Sequence, residues 1–353
     1  YGEVHWRKCP AASLMRTGGD RLMYEEKLLP LQCTSVFAPC MADFVEQKRA
    51  LGNKYNTCVE VFNGFDRFCN EQRLESPVIS KELLSLWEEK RPHENETTQL
   101  VRISYVRQFC EYLNKNGYEV PGAFHAAPKK SQQFVPYIFT KNELEKLFSA
   151  TDATKPTPLS PIRHLVMPVL FRLIYTCGLR ASEALRLKVS DVDLDQGMMT
   201  IFGAKGDKDR MVGISDSMLE YMRNYRANPM VAGFDSEFFF PAPDGGFYDT
   251  STIYAYFRDY LFMAGIPHRG RGKGPRVHDL RHSFAVHVLN KWSSEGKDMY
   301  TCLPILRVYL GHTRLTATEK YLRLIPDAYG ELTHPFKDRF QKITEALDDE
   351  EKV

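Results

Sequence analysis

Four short stretches hold residues whose types and spacing could do chemistry. In Thr176-Cys-Gly-Leu-Arg-Ala-Ser-Glu183, one helix is expected to end at Gly178 and the next to open at Arg180. Gly203-Ala-Lys-Gly-Asp-Lys-Asp209 is a polar turn that carries Lys205 and Lys208. It is not a phosphate-binding P-loop, because the glycine and lysine spacing of that motif is absent. His278-Asp-Leu-Arg281-His282 sets His278 and Arg281 three residues apart, on one face of a helix. Leu310-Gly-His312 is followed nine residues on by Tyr321. Ahead of the third stretch, Arg269, Arg271, Lys273 and Arg276 are interleaved with Gly270, Gly272, Gly274 and Pro275. A flexible basic loop of this kind suits contact with phosphate. Taken singly, each stretch has a plain reading as a helix cap, a solvated turn lysine, a polar helix face or a packed tyrosine. No metal set competes: of the eight cysteines, none forms a CxxC pair or a zinc-ligand spacing.

All four stretches fall in a segment whose pattern is mostly helical. Thr140 and Glu143 form a capping box for a helix holding Leu144, Leu147 and Phe148. An apolar helix runs from about 161 to 177. Strands are predicted at 198–202 and 210–214, with the polar turn as their hairpin tip. Further helices are predicted near 217–226, 251–264, 279–292 and 301–310. An earlier segment, 33–120, carries four helical runs. Phe37, Cys40, Met41, Phe44 and Leu51 recur at helical spacing, as do Tyr55, Cys58, Phe62, Phe65 and Cys69. A short run follows at 81–90, then one with Leu100, Ile103, Val106, Cys110 and Leu113 on one face. Lys90, Arg91, Arg102 and Arg107 are placed on the polar surface. Residues 121–137, with Pro121, Gly122, Pro128, Lys129, Lys130 and Pro136, read as a linker with a basic spot. Residues 1–32 read as an arm. Residues 336–353 read as a helix with an acidic tail.

Bulk composition narrows the classes. A chain of 353 residues suits two domains. Forty-three per cent hydrophobic residues are enough for packed cores. Lys+Arg 47 against Asp+Glu 45 excludes a polycationic coat but not local basic patches. The longest apolar run, Leu165 to Tyr175, is broken by Pro168 and Arg172, so no membrane span or membrane partner is expected. The cysteines are read as buried free thiols of a reducing cytosol.

In this order, Arg180, Lys205, His278-x-x-Arg281, Gly311-His312 and Tyr321 resemble the tyrosine site-specific recombinases, the phage-integrase class. The resemblance covers about residues 33–330. It departs from the family in the N-terminal arm and in the extension past Pro335. It implies a mainly α fold: a small four-helix DNA-binding domain (33–120), then a mostly helical catalytic domain (138–335) with a small antiparallel sheet. It implies Arg180 and Arg281 as a clamp on the scissile phosphate and Tyr321 as nucleophile. Lys205 is implied as general acid for the leaving 5′ oxygen, and Glu183 as a supporting group. His278 and His312 add donors to the phosphate, and either could take the phenol proton. Lys129, Lys130, Lys208, Arg269, Arg271, Lys273 and Arg276 are the implied DNA contacts. The partners implied are double-stranded DNA, a homotetramer on DNA, and accessory bending or directionality factors. No cofactor or metal is expected, and a bacterial cytoplasm is the expected location. The function implied is an integrase or transposase of a mobile element. A type IB topoisomerase-like relaxer and a DNA-binding regulator are the alternatives. The four-helix domain speaks against the first, and the complete set of catalytic types against the second.

Overall fold

The computed structural model describes residues 28–52, 54–120, 135–202, 209–268, 270 and 274–324. These fall into two compact units, of which 28–120 and 135–324 are the described parts.

The first unit is built from α1 (Ala38–Ala50), α2 (Asn56–Glu71), α3 (Lys81–Glu88) and α4 (Glu96–Lys115). Ser80 and Asn95 cap α3 and α4 by accepting from the main-chain N–H groups of Leu83 and Thr98. The apolar stripes meet in an aromatic core. Phe62 lies 5.5 Å from Phe44 and 5.1 Å from Phe109, and Phe65 lies 4.9 Å from Trp87, centroid to centroid. Two expectations are corrected here. Leu51 sits at the end of α1 with 75% of its surface exposed. Arg102 is not on the surface but 4% exposed. Its guanidinium makes two 2.8 Å hydrogen bonds to the Glu94 carboxylate. It also donates to the main-chain oxygens of Trp87 and Glu89. Buried Gln99, Arg102, Ile103 and Val106 share one face of α4, and the local ion pair makes an arginine tolerable there.

The second unit contains α5 (Lys141–Asp152), α6 (Arg163–Thr176), α7 (Ala181–Leu185), α8 (Asp216–Ala227), α9 (Pro229–Ala232), α10 (Thr250–Met263), α11 (Val277–Ser294), α12 (Met299–Leu310) and α13 (Leu315–Glu319). The Thr140–Glu143 capping box at the start of α5 forms in both directions. A three-stranded antiparallel sheet joins them: β1 (Val192–Asp193), β2 (Met198–Ile201) and β3 (Arg210–Gly213). The β2–β3 register runs from Met198 opposite Gly213 to Ile201 opposite Arg210. The edge strand β1, only two residues long, leaves no alternation for the sequence to show.

Helix α6 packs against α5, α8 and α11. Helix α11 also packs on α12, and its Ser283 hydroxyl accepts from the Phe139 N–H at 2.9 Å. Two glycines end helices beside the site. Gly178 has φ +59°, and a Cβ there would lie 2.5 Å from the Phe284 ring. Gly311 has φ +65°, and a Cβ there would lie 2.9 Å from Arg210 Nη1. Both positions therefore require glycine on two counts, backbone and space. The seven described cysteines are free thiols. Among the described residues no helix is long and apolar enough to cross a membrane.

Candidate active site

Arg180 opens α7. Its main-chain N–H donates to Glu183 Oε2 at 2.8 Å, which fixes the carboxylate against the helix N-terminus. Its guanidinium donates to Glu183 Oε1 at 2.5 Å and to the Gly311 carbonyl at 3.0 Å. Twenty-two per cent of this side chain remains open to solvent.

Arg281 lies on α11 and is fully buried. It donates to the Gly178 carbonyl at 2.9 Å and to the Leu310 carbonyl at 2.6 Å. Those carbonyls belong to the ends of α6 and α12, where main-chain acceptors lack helical partners and a cation is favoured. Burial, then the charge of Arg180, pull its pKa down to about 10, so it stays cationic at neutral pH.

A third guanidinium joins them. Arg210, the first residue of β3, donates through Nη1 and Nη2 to the two Glu183 oxygens at 3.0 and 2.7 Å. Its Nε donates to the Tyr309 carbonyl at 3.0 Å. The successive carbonyls of Tyr309, Leu310 and Gly311 thus each take one guanidinium: Arg210, Arg281 and Arg180. The same three lie 2.7, 3.8 and 2.5 Å from Glu183. Burial pushes the Glu183 carboxyl up, but the hydrogen bonds and charge of Arg210, with those of Arg180, hold it at about 2. One carboxylate against three guanidiniums leaves a surplus of positive charge in a largely buried place.

Tyr321 follows α13 and is 4% exposed. Its hydroxyl is hydrogen-bonded to His282 Nδ1 at 2.7 Å. Burial raises the phenol pKa above 10, against the opposing charges of Arg281 and Arg180. Burial, His278 and Arg281 push His282 down to about 3. The His312 ring lies nearly parallel to Tyr321, 6.2 Å between centroids, and its Nδ1 is 2.8 Å from the Thr318 hydroxyl. Burial, then Arg281 and Arg180, bring His312 to about 3. His278 meets the His282 ring edge-on at 4.6 Å and keeps an outer edge exposed. Desolvation on its inner side, then Arg281 and Arg180, lower it to about 4. At neutral pH the phenol is protonated and the three imidazoles are uncharged.

Residues 138–326 match the phage integrase family. The chain belongs to that family. It is a tyrosine recombinase, an enzyme of DNA strand breakage and rejoining. It is 29% identical over 321 residues to y4rB of Sinorhizobium fredii, provisionally named an integrase/recombinase, covering 88% of this chain and 100% of that one. It is 30% identical over 224 residues to tyrosine recombinase XerD of Proteus mirabilis, 62% of this chain and 65% of that one. Among solved structures it shares the fold of XerH site-specific recombinase in a post-cleavage complex with its difH substrate. That match has a TM-score of 0.60 and 20% identity, over 82% of each chain.

In this recombinase the fold brings Arg180, Glu183, His278, Arg281, His312 and Tyr321 into one place. Arg276 stands at the N-terminus of α11, where its N–H donates to Asp279 Oδ2 at 2.7 Å and its side chain is 42% exposed. Lys205, Lys208, Lys129, Lys130, Arg269, Arg271 and Lys273 lie outside the described residues. The sequence reading missed two members, Arg210 and His282. His282 had a signal: it lies four residues from His278, on the same helix face. Arg210 had one too, since strand alternation sets it on the same side as Val212 and Ile214.

Proposed function

We propose that this recombinase is the integrase or transposase of a mobile element. In this reading it cleaves and rejoins duplex DNA through a 3′-phosphotyrosyl intermediate and a four-way junction. The observation that carries the reading is the union, in one site, of a guanidinium surplus and a tyrosine hydroxyl held by an imidazole. A phosphodiester is an anion that gathers further negative charge on its non-bridging oxygens as phosphorus is attacked. Fixed cations in a dry site stabilise that charge without reorganising. Arg180, the more open guanidinium, takes one such oxygen through paired N–H groups. Arg281 lies buried beneath with its Nε unpartnered, and its charge acts on the phosphate at short range.

Tyr321 attacks phosphorus, and its phenol proton passes to His282. With His282 as the tautomer protonated on Nε2, Nδ1 accepts from the phenol. An arriving phosphate offsets the arginine charges and raises the proton affinity of that imidazole. This assignment replaces His278 and His312 as acceptor. His312 bonds Thr318 instead, and His278 touches His282 rather than the phenol. The 5′ oxygen leaves with a proton from Lys205 as general acid. The bond energy is kept in the phosphotyrosyl link, so a free 5′ hydroxyl can reverse the step without a nucleotide cofactor. Exchanging both strands of two duplexes takes four nucleophiles, hence four copies on DNA. The first unit and the basic stretches around 129 and 269 supply phosphate contacts, which position more than they specify.

The test is strand exchange between two differently labelled duplexes, each bearing the sequence that the protein selects from a random pool. Recombinant strands and a trapped junction are expected from wild type, and neither from Tyr321→Phe. Relaxation of a supercoiled plasmid carrying one site, without exchange between two, would overturn the reading in favour of a relaxing enzyme.

A further inference from the structure

We infer that Arg210 is a positioning residue of the reaction: its fork holds Glu183 so that Arg180 and Arg281 stay aimed at the scissile phosphate. The inference rests on the recombinase reading above.

The geometry separates Arg210 from its two companions. All three of its nitrogens are engaged inward, two on Glu183 and one on the Tyr309 carbonyl. Its side chain is 7% exposed, against 22% for Arg180. It leaves no nitrogen over for phosphate, whereas Arg281, though more buried, keeps an Nε without a hydrogen-bond partner. What it controls is the carboxylate. Glu183 is buried, ionised and within reach of all three guanidiniums. Arg210 occupies both carboxylate oxygens at once, which only a planar fork can do. Without it, the carboxylate would keep only its two bonds from Arg180 and would draw that guanidinium, and Arg281 from 3.8 Å away, further onto itself. Each turn toward Glu183 is a turn away from an oxygen at phosphorus.

The neighbouring backbone fits this role. Gly311 leaves the room that the Arg210 side chain fills, since any Cβ would come within 2.9 Å of it. The carbonyls of residues 309, 310 and 311 seat the three guanidiniums in order, so a shift of Arg210 is passed to the other two and to His312.

The test uses the full chain and a duplex bearing the self-selected sequence, nicked beside the cleavage point. Single-turnover formation of the covalent adduct is measured at saturating protein, together with DNA affinity and thermal unfolding. Arg210→Ala is expected to slow adduct formation by about 100-fold, the scale of a misplaced catalytic group. DNA affinity should change less than about threefold, because it is set by many other phosphate contacts. Arg210→Lys keeps the charge but not the fork, and should stay nearer to Arg210→Ala than to wild type. A second substrate carries an uncharged methylphosphonate at the scissile position, which has less need of a guanidinium clamp. On it the deficit of Arg210→Ala should shrink at least about tenfold, a change that a general loss of packing would not produce. The inference is overturned if Arg210→Ala forms adduct at the wild-type rate, or if its deficit is equal on both substrates, or if Arg210→Lys restores the rate. Should Arg210→Ala not fold, the Lys variant on the two substrates decides alone. Absence of adduct with wild type would instead count against the recombinase reading itself.

Discussion

Each unit of this recombinase buries arginine against glutamate, and the two arrangements differ in net charge and in openness. In the helical unit the Glu94 carboxylate takes its guanidinium bonds from Arg102, with side chains 5% and 6% exposed, and accepts from the Arg91 main-chain N–H at 3.2 Å, while the spare donors of Arg102 end on main-chain carbonyls. The pair is neutral and closed, and it fastens α3 to α4 beneath Trp87. In the catalytic unit Glu183 faces Arg180, Arg210 and Arg281. The hydrogen bonds are of the same kind, but charge is left over. A neutral, closed pair serves the fold alone. A charged, partly open cluster is costly to keep unless an anion arrives to balance it.

Four changes break or sharpen that contrast. The largest is Arg102→Ala, which takes from Glu94 both its guanidinium bonds and leaves it the Arg91 main-chain N–H. It should remove about 3–5 kcal/mol from the helical unit. Urea unfolding followed by fluorescence in single-tryptophan variants, with Trp6 and either Trp292 or Trp87 replaced by Phe, should show this in the transition of Trp87, with the Trp292 transition unmoved. Next is Arg180→Ala. Because this side chain is the more open one, stability should change little. Adduct formation should slow by about 100- to 1000-fold, as when one transition-state donor is lost. Smaller is Gly311→Ala, which forces a side chain into a left-handed backbone and against Arg210. It should cost about 1–2 kcal/mol of stability, read from thermal unfolding, and should slow cleavage as well.

The fourth concerns pH. His282 and His312 have folded pKa values near 3, below the usual value of an unfolded histidine. A group lowered in the folded state contributes stability that is present above its unfolded pKa and lost as pH falls toward its folded pKa. The catalytic unit should therefore lose stability progressively from about pH 6.5 downward. Glu183, held at about 2, adds to the loss below about pH 4.5. The helical unit has no buried histidine among its described residues and should lack the upper part of this slope. Unfolding at stepped pH in the same single-tryptophan variants distinguishes the two. Equal slopes between pH 6.5 and 5 would remove the contrast.

Much of this site is legible in the sequence, because its members sit in short motifs with fixed local geometry. Arg180 follows a helix-ending glycine. His278 and Arg281 share a helix face. Gly311 precedes His312 at another helix end. The long helices were equally readable from their apolar spacing. What escapes is of two kinds. The very short elements β1, α9 and α13 show no period. Buried charged residues contradict the rule that reads charge as surface. Arg102 lies on the same helical face as Ile103 and Val106, and Arg210 on the same strand face as Val212. In both cases the periodicity pointed inward while the residue type pointed outward. The deciding partner, Glu94 or Glu183, is visible only once the chain is folded.

The most direct test of the account is a covalent trap with peptide mapping. The full chain is incubated with the nicked, self-selected duplex, denatured and digested, and the DNA-bearing peptide is identified by mass. The account predicts one DNA-linked peptide, joined through Tyr321 to a 3′ phosphate, and none from Tyr321→Phe. A link through another residue, or to a 5′ phosphate, would contradict it.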